Sequence, residues 1–214
     1  MITTNSAFPE IRPNDEASLH RRSRSETTAD AVRKAAMELA YEGGLALATM
    51  ERIAKRSKVA KTTIYRRWPH AAAVVMEGFL HELAPLISYQ PKASAQATIA
   101  SSITSLVKAL RGPRADLLRH LLGAAQGDSR LQRAFQEHWI LPRRAQAQPV
   151  LDQARKRGEL RSDVNDNVLI HSLYGAIYYR LMIPYAELSE IYVETLVAQV
   201  FAGALNPACP FPNT

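Results

Sequence analysis

Thr49-Met50-Glu51-Arg52-Ile53-Ala54-Lys55-Arg56-Ser57-Lys58-Val59-Ala60-Lys61-Thr62-Thr63-Ile64-Tyr65-Arg66-Arg67-Trp68 is the stretch whose reading decides the fold. It holds two short helical patterns separated by Lys58-Val59-Ala60, the spacing of a helix-turn-helix. Thr49 is a good N-cap for the first pattern, which runs to about Ser57 with Ile53 and Ala54 turned inward. The second runs from Lys61 to Trp68. Ile64 and Trp68 lie four apart, so they share a face that can pack on Ile53, Ala54 and Val59. At about 100° per residue, the opposite face carries Lys61, Thr62, Thr63, Tyr65 and Arg66. All five have donors suited to phosphates or base edges.

Charge supports the same reading. The net charge is +7, and residues 1–70 hold 13 Lys and Arg against 8 Asp and Glu, whereas residues 71–214 hold 14 against 12. Within 49–70, Arg52, Lys55, Arg56, Lys58, Lys61, Arg66 and Arg67 face one acid, Glu51. A localised basic excess favours a polyanionic partner, although a solvated helical face has the same composition. Arg21, Arg22 and Arg24 stand just before the first helical pattern, placed to reach an adjacent groove or the backbone. The amides after Thr49 can hold a phosphate oxygen.

Outward from this stretch, every segment reads as helix. Residues 1–20 mix Pro, Asn, Ser and Thr without an apolar period and are expected to form a flexible arm. A first helix is predicted from an N-cap at Thr27 or Thr28, with Ala31, Ala35, Ala36, Leu39 and Ala40 inward, ending at Gly43-Gly44. Pro69 fits the first turn of a fourth helix running to about Leu83. Beyond 90–94, apolar stripes recur at Ile99/Ile103/Leu106/Leu110 and at Leu117/Leu121. Another runs from about Ser129 through Phe135 and Trp139, with a kink expected at Pro142. A helix capped by Asp163 or Asn165 and a last one over Glu187–Leu205 complete the chain. No valine-rich strands and no fixed repeat are visible. The predicted fold is all-α: a helix-turn-helix DNA-binding domain over 21–70, a larger helical ligand-sensing and dimerisation domain over 71–205, and a tail over 206–214.

The residues Thr49, Ile53, Ala54, Val59 and Thr63-Ile64-Tyr65-Arg66-Arg67-Trp68, with Gly43 before them, resemble the DNA-binding signature of the tetracycline-repressor-like (TetR) family. The resemblance covers roughly residues 27–80. It implies a homodimer with two recognition helices about one DNA turn apart, and a helical domain that senses a small molecule. Three positions depart from the family pattern. Lys58 stands where glycine usually makes the turn, Ala60 replaces a serine or threonine cap, and Ala71 replaces a lysine that often grips phosphate. His70 can substitute in part for that lysine, or be a plain surface histidine.

The C-terminal helices are apolar over a wide arc, including Leu173, Ile177, Val193, Val197 and Val200. Such an arc implies either a second buried face at a dimer interface or a thick monomer core. Gly175-Ala176-Ile177-Tyr178-Tyr179-Arg180 resembles the penultimate helix of some TetR-like domains, in which the last two helices pair with their symmetry mates as a four-helix bundle. Phe135, His138, Trp139, His171, Tyr174 and Tyr178 are the candidates for an effector pocket suited to an apolar or aromatic ligand, although ordinary packing explains each one singly.

Other classes lack residues to carry them. No two of the six histidines stand three or four residues apart as a two-histidine helical metal site requires, and no phosphate loop or nucleophile elbow is present. No cofactor, metal or enzymatic activity is expected. No apolar run reaches the roughly 18 residues of a membrane span, no signal peptide is visible, and Cys209 is single, so a cytoplasmic location is expected. The favoured reading is a repressor released from a palindromic operator by a small molecule. The alternative is a DNA-binding regulator or activator controlled by a protein partner.

Overall fold

Glycine and proline set the boundaries of the N-terminal helices. The computed structural model describes residues 13–207, with side chains described from Ser25. Helix α1 spans Pro13–Leu47 but breaks at Gly43 and Gly44, where Gly44 adopts φ 70°, ψ −171°, a backbone region closed to residues with a Cβ. Its start precedes the expected caps Thr27 and Thr28. Pro13 has the φ of a first-turn residue, and no glycine or proline follows before Gly43. Residues 13–20, expected in an irregular arm, are therefore helical. The rest of that arm, the side chains of Arg21, Arg22 and Arg24, and the tail from 208 lie outside the described residues.

Helix α2, Met50–Ser57, is capped by Thr49, whose Oγ1 accepts from the Arg52 N–H at 3.3 Å. Lys58 then turns the chain at φ 58°, ψ 25°, the left-handed position that the missing glycine would have filled. A non-glycine residue there costs about 1–2 kcal/mol. Helix α3, Lys61–Tyr65, starts after an extended Ala60 that offers no side-chain cap. It is about a turn shorter than its sequence pattern, because Pro69 disfavours helical geometry at Trp68. Helix α4, Ala71–Leu83, begins after His70 as N-cap rather than at Pro69.

A 3-10 turn over Ala84–Leu86 leads to α5 (Ala95–Ala109), α6 (Pro113–Gln126) and α7 (Ser129–Phe135). A π turn over Gln136–Ile140 joins α7 to α8 (Leu141–Lys156), with α9 (Asp166–Met182) and α10 (Glu190–Ala202) after it. Instead of kinking the chain, Pro142 sits in the first turn of α8. The π turn absorbs the change in register, with Leu141 N–H donating to Gln136 O. Of the two candidate caps for α9, Asn165 is the one used. Among the described residues there is no strand, only the isolated bridge Leu160–Leu205.

One apolar core runs the length of the molecule and passes through α4. At one end Val32, Ala36, Ile53, Ile64, Trp68, Val75 and Phe79 are buried together. Helices α1 and α4 approach so closely that a Cβ on Gly78 would lie 2.9 Å from Met37 Cγ. At the other end Ile99, Ile103, Leu118 and Leu121 pack with Phe201. Leu173, Ile177, Val193 and Val197, expected at a dimer interface, are buried inside this core, and Val200 packs partly buried against it. The sequence pattern is correct in finding an apolar arc. It misplaces the arc because the strongest stripe of each helix faces its own subunit. The exposed residues of α9 and α10 include Val168, Tyr179 and Ile191 and the small residues Gly175, Thr195 and Ala198, beside polar ones such as His171, Glu194 and Gln199.

Because α3 lacks a capping side chain, Ala60→Ser should stabilise the protein by about 1 kcal/mol. A thermal melt should rise by about 2–4 °C; an unchanged or lower midpoint would show that the α3 N-terminus is not open to capping.

Candidate nucleic-acid interface and ligand cavity

The exposed face of α3 is set by what its other face buries. Ile64 has 0% exposure and Trp68 4%, and each such buried side chain contributes about 1.5–3 kcal/mol. Lys61, Thr62, Tyr65 and Arg66 are exposed on the opposite side, Tyr65 to 50%, with Thr63 half-buried between the faces. Lys61 Nζ donates to Glu51 Oε1 at 3.0 Å, an exposed pair worth about 0–1 kcal/mol and easily exchanged for another anion. Thr49 stands exposed at the head of α2. Arg52, not singled out from sequence, is exposed one turn away from it.

Two residues expected on this surface are committed elsewhere. Arg67 donates to Glu77 Oε1 at 2.9 Å and to Glu26 Oε2 at 3.4 Å, and stacks 5.0 Å over the Trp68 ring. His70 uses Nδ1 to accept from the Ala73 N–H at 3.3 Å, and its Nε2 lies 2.8 Å from Asp128 Oδ2 without hydrogen-bond geometry. Asp128 caps α7, so this approach sets the start of α4 beside the start of α7. The amides of Arg130 and Leu131 help hold the Asp128 carboxyl below the usual range.

Glu77, on α4, gathers the N-terminal domain. It accepts from Trp68 Nε1 at 2.6 Å, from Arg33 at 2.7 Å and from Arg67. Arg33, buried on α1, also donates to Glu26 at 2.6 Å and to Asp30 at 2.5 Å. Burial alone would raise the Glu77 carboxyl. The hydrogen bonds from Trp68 and Arg33 outweigh that and hold it below the ordinary carboxylate range.

A cavity of about 270 Å³ lies among α5, α8, α9 and the segment after α4. Trp139, His171, Tyr174 and Tyr178 line it, as expected from sequence. Phe135 does not: it packs edge-on against Tyr178, centroids 6.2 Å apart, from behind the wall. His138 is exposed, because the π turn rotates it outward while Trp139 stays inward. Sequence reasoning missed Tyr89, Arg143 and Arg144, together with the apolar wall of Ile87, Leu106, Ile140 and Ile170. Phe135, Trp139 and Arg143 recur every four residues; reading Pro142 as a break hid that signal. Trp139 Nε1 donates to Tyr178 Oη at 2.6 Å, and the hydroxyls of Tyr89 and Tyr174 lie 2.6 Å apart. Burial pushes all three phenols up, so they stay neutral.

Comparison with known proteins decides the family. Residues 32–75 match the model for bacterial regulatory proteins of the tetR family, and residues 92–200 match the tetracyclin repressor-like C-terminal domain. The HTH-type transcriptional regulator YdeS of Bacillus subtilis is 35% identical over 85% of this chain and 92% of its own length. The chain belongs to the TetR family. It is a DNA-binding transcription regulator of that family, with the helix-turn-helix at α2–α3 and the larger helical domain behind it. The TetR-family transcription regulator SCO0332 superposes with a TM-score of 0.72 at 33% identity, over 82% of this chain and 97% of that one. FadR of Bacillus subtilis, solved with stearoyl-CoA, shares the fold with a TM-score of 0.64 at 18% identity, over 81% of this chain and 97% of its own.

Within this TetR-family chain, Glu77→Ala removes three hydrogen bonds and leaves Trp68 Nε1 and one side of Arg33 unpaired. It should cost about 2–4 kcal/mol in denaturant unfolding at pH 7. Since the folded-state carboxyl is depressed, the stability it adds is present above the unfolded pKa near 4.3 and is lost as pH falls through the folded value. Glu77→Gln should therefore flatten the acid limb of a stability–pH curve; a limb as steep as the parent's would place the acid-sensitive group elsewhere.

Proposed function

We propose that this protein is a homodimeric repressor that binds a palindromic operator through α3 and leaves it when a small molecule fills the cavity. The observation that carries the reading is the split character of α3: Ile64 and Trp68 are locked inward, while Lys61, Thr62, Tyr65 and Arg66 are exposed on the outer side. Tyr65 and Arg66 reach base edges, Lys61, Thr63 and the amides after Thr49 grip phosphates, and Arg22 and Arg24 approach the flanking DNA. Arg67 and His70 act indirectly, by fixing α3 and α4.

A physical route joins the cavity to this face. Arg143, on the cavity wall, donates to Ile87 O at 2.6 Å and to Ala84 O at 3.3 Å, just beyond the end of α4. In the middle of α4 Glu77 holds Trp68, and at its start His70 lies 2.8 Å from Asp128. A ligand that repositions Arg143 moves the C-terminal end of α4, and α4 moves α3. A differential affinity of about 1–3 kcal/mol between the two states is sufficient. The dimer forms through the exposed face of α9 and α10, with Val168, Tyr179 and Ile191 beside small residues, an arrangement suited to an isologous four-helix contact.

Two experiments test this reading. Tyr65→Ala and Arg66→Ala should each reduce affinity for genomic DNA fragments selected by the parent protein by tenfold or more, about 1.4 kcal/mol, with an unchanged melting curve. Parent affinity should also fall steeply with salt; full affinity in both variants would exclude the proposed reading face. Ile191, 74% exposed in the subunit, should be replaceable by Glu without loss of the fold but with conversion of dimer to monomer in sedimentation. A dimeric Ile191→Glu protein would place the interface elsewhere.

A further inference from the structure

The cavity walls carry positive charge and no acid. Arg143 is only 9% exposed, yet among the described residues no carboxylate stands within ion-pair distance of it. Its partners are the two backbone carbonyls and the Trp139 ring, 4.6 Å below the guanidinium. They take up part of a five-donor fork and neutralise none of its charge. The other buried arginine among the described residues is treated differently: Arg33 is surrounded by Glu26, Asp30 and Glu77. Arg144, also on the wall, bonds the neutral amide of Asn167 rather than an acid. A buried charge without a counterion is costly, and the usual remedy is a partner of opposite sign.

The remaining polar groups also offer protons. Tyr178 Oη accepts from Trp139, which leaves its own O–H to donate. The Tyr89–Tyr174 pair shares one hydroxyl proton between the two oxygens, and the second lies beside the buried Ser102 hydroxyl. The lining thus has donors in excess and no carboxylate, set in an otherwise apolar wall.

We infer that the cavity takes a small organic acid with an apolar body, its carboxylate paired with Arg143 and its body against Ile87, Leu106, Ile140 and Ile170. The volume of about 270 Å³ lies just below the roughly 300–1,000 Å³ of ligand sites. It suits an aromatic or short-chain acid body. The assignment rests on the reading of this cavity as the effector site. It adds the ligand's charge: the apolar or aromatic body expected from sequence carries an anionic head.

The test is calorimetric titration of the full-length protein with naphthalene-2-carboxylate and octanoate, each beside its neutral primary amide. At least one acid should bind about tenfold or more tightly than its amide, about 1.4 kcal/mol. In Arg143→Gln that preference should fall below about threefold while the amide affinity is kept. Should Arg143→Gln fail to fold, the acid-to-amide ratio of the parent protein decides alone. Amides binding as well as the acids, a preference that survives Arg143→Gln, or no saturable binding of either acid would each overturn the assignment. Release from the selected DNA, followed in parallel, separates the two ideas. An acid that binds through Arg143 without releasing DNA overturns the regulatory reading and leaves the site standing. Release by the amides with no preference for acid does the reverse.

Discussion

Trp68 is the residue on which the orientation of the reading helix depends. Its indole is buried, and its N–H is satisfied by Glu77 at 2.6 Å, which is itself neutralised by Arg33 and Arg67. A five-residue helix has too few internal hydrogen bonds to hold its own direction. It is held instead by Ile64 and Trp68 in the core, and by an ionic network that joins α1, α4 and the end of α3. Burial supplies the energy and the Glu77 contacts supply the direction.

The same residue explains why α4 occupies the centre of the molecule. Glu77 lies in its middle, His70 caps its start against Asp128, and Arg143 grips the carbonyls just beyond its end. Each anchor is polar and directional, so a shift of the helix is felt at specific bonds rather than spread through a soft apolar contact. The tight passage at Gly78, where α1 leaves no space for a methyl group, restricts α4 to movements about that point. The cavity and the reading face are thus the two ends of one element.

Much of this was legible in the chain. The α2–α3 turn, the Thr49 cap and the inward pair Ile64/Trp68 follow from helical spacing alone, since short amphipathic helices bury the face their pattern marks. Lys58 takes the left-handed turn despite its Cβ, because packing on both sides over-determines the backbone there. Four cavity residues were among the aromatic and histidine side chains chosen for their residue type. Arg143 was not, because a basic residue beside a proline reads as surface and the break expected at Pro142 hid its four-residue spacing from Trp139. His138 was misassigned because the π turn rotates it outward. Leu173, Ile177, Val193 and Val197 show a different limit: periodicity says that a face is buried, but not whether the burying partner is the same subunit or another. Arg67 and His70 were assigned to DNA by charge, and their carboxylate partners, Glu77 and Asp128, are distant in sequence.

The most direct measurement of the central claim is photocrosslinking with a benzophenone amino acid placed at Tyr65 or at Arg67 of the full-length protein, bound to selected DNA. The account predicts efficient crosslinks from position 65 to bases within the bound site, and few from position 67, which faces Glu26 and Glu77. Crosslinking from 67 that equals or exceeds crosslinking from 65 would mean that α3 is not held in the orientation that Ile64 and Trp68 impose.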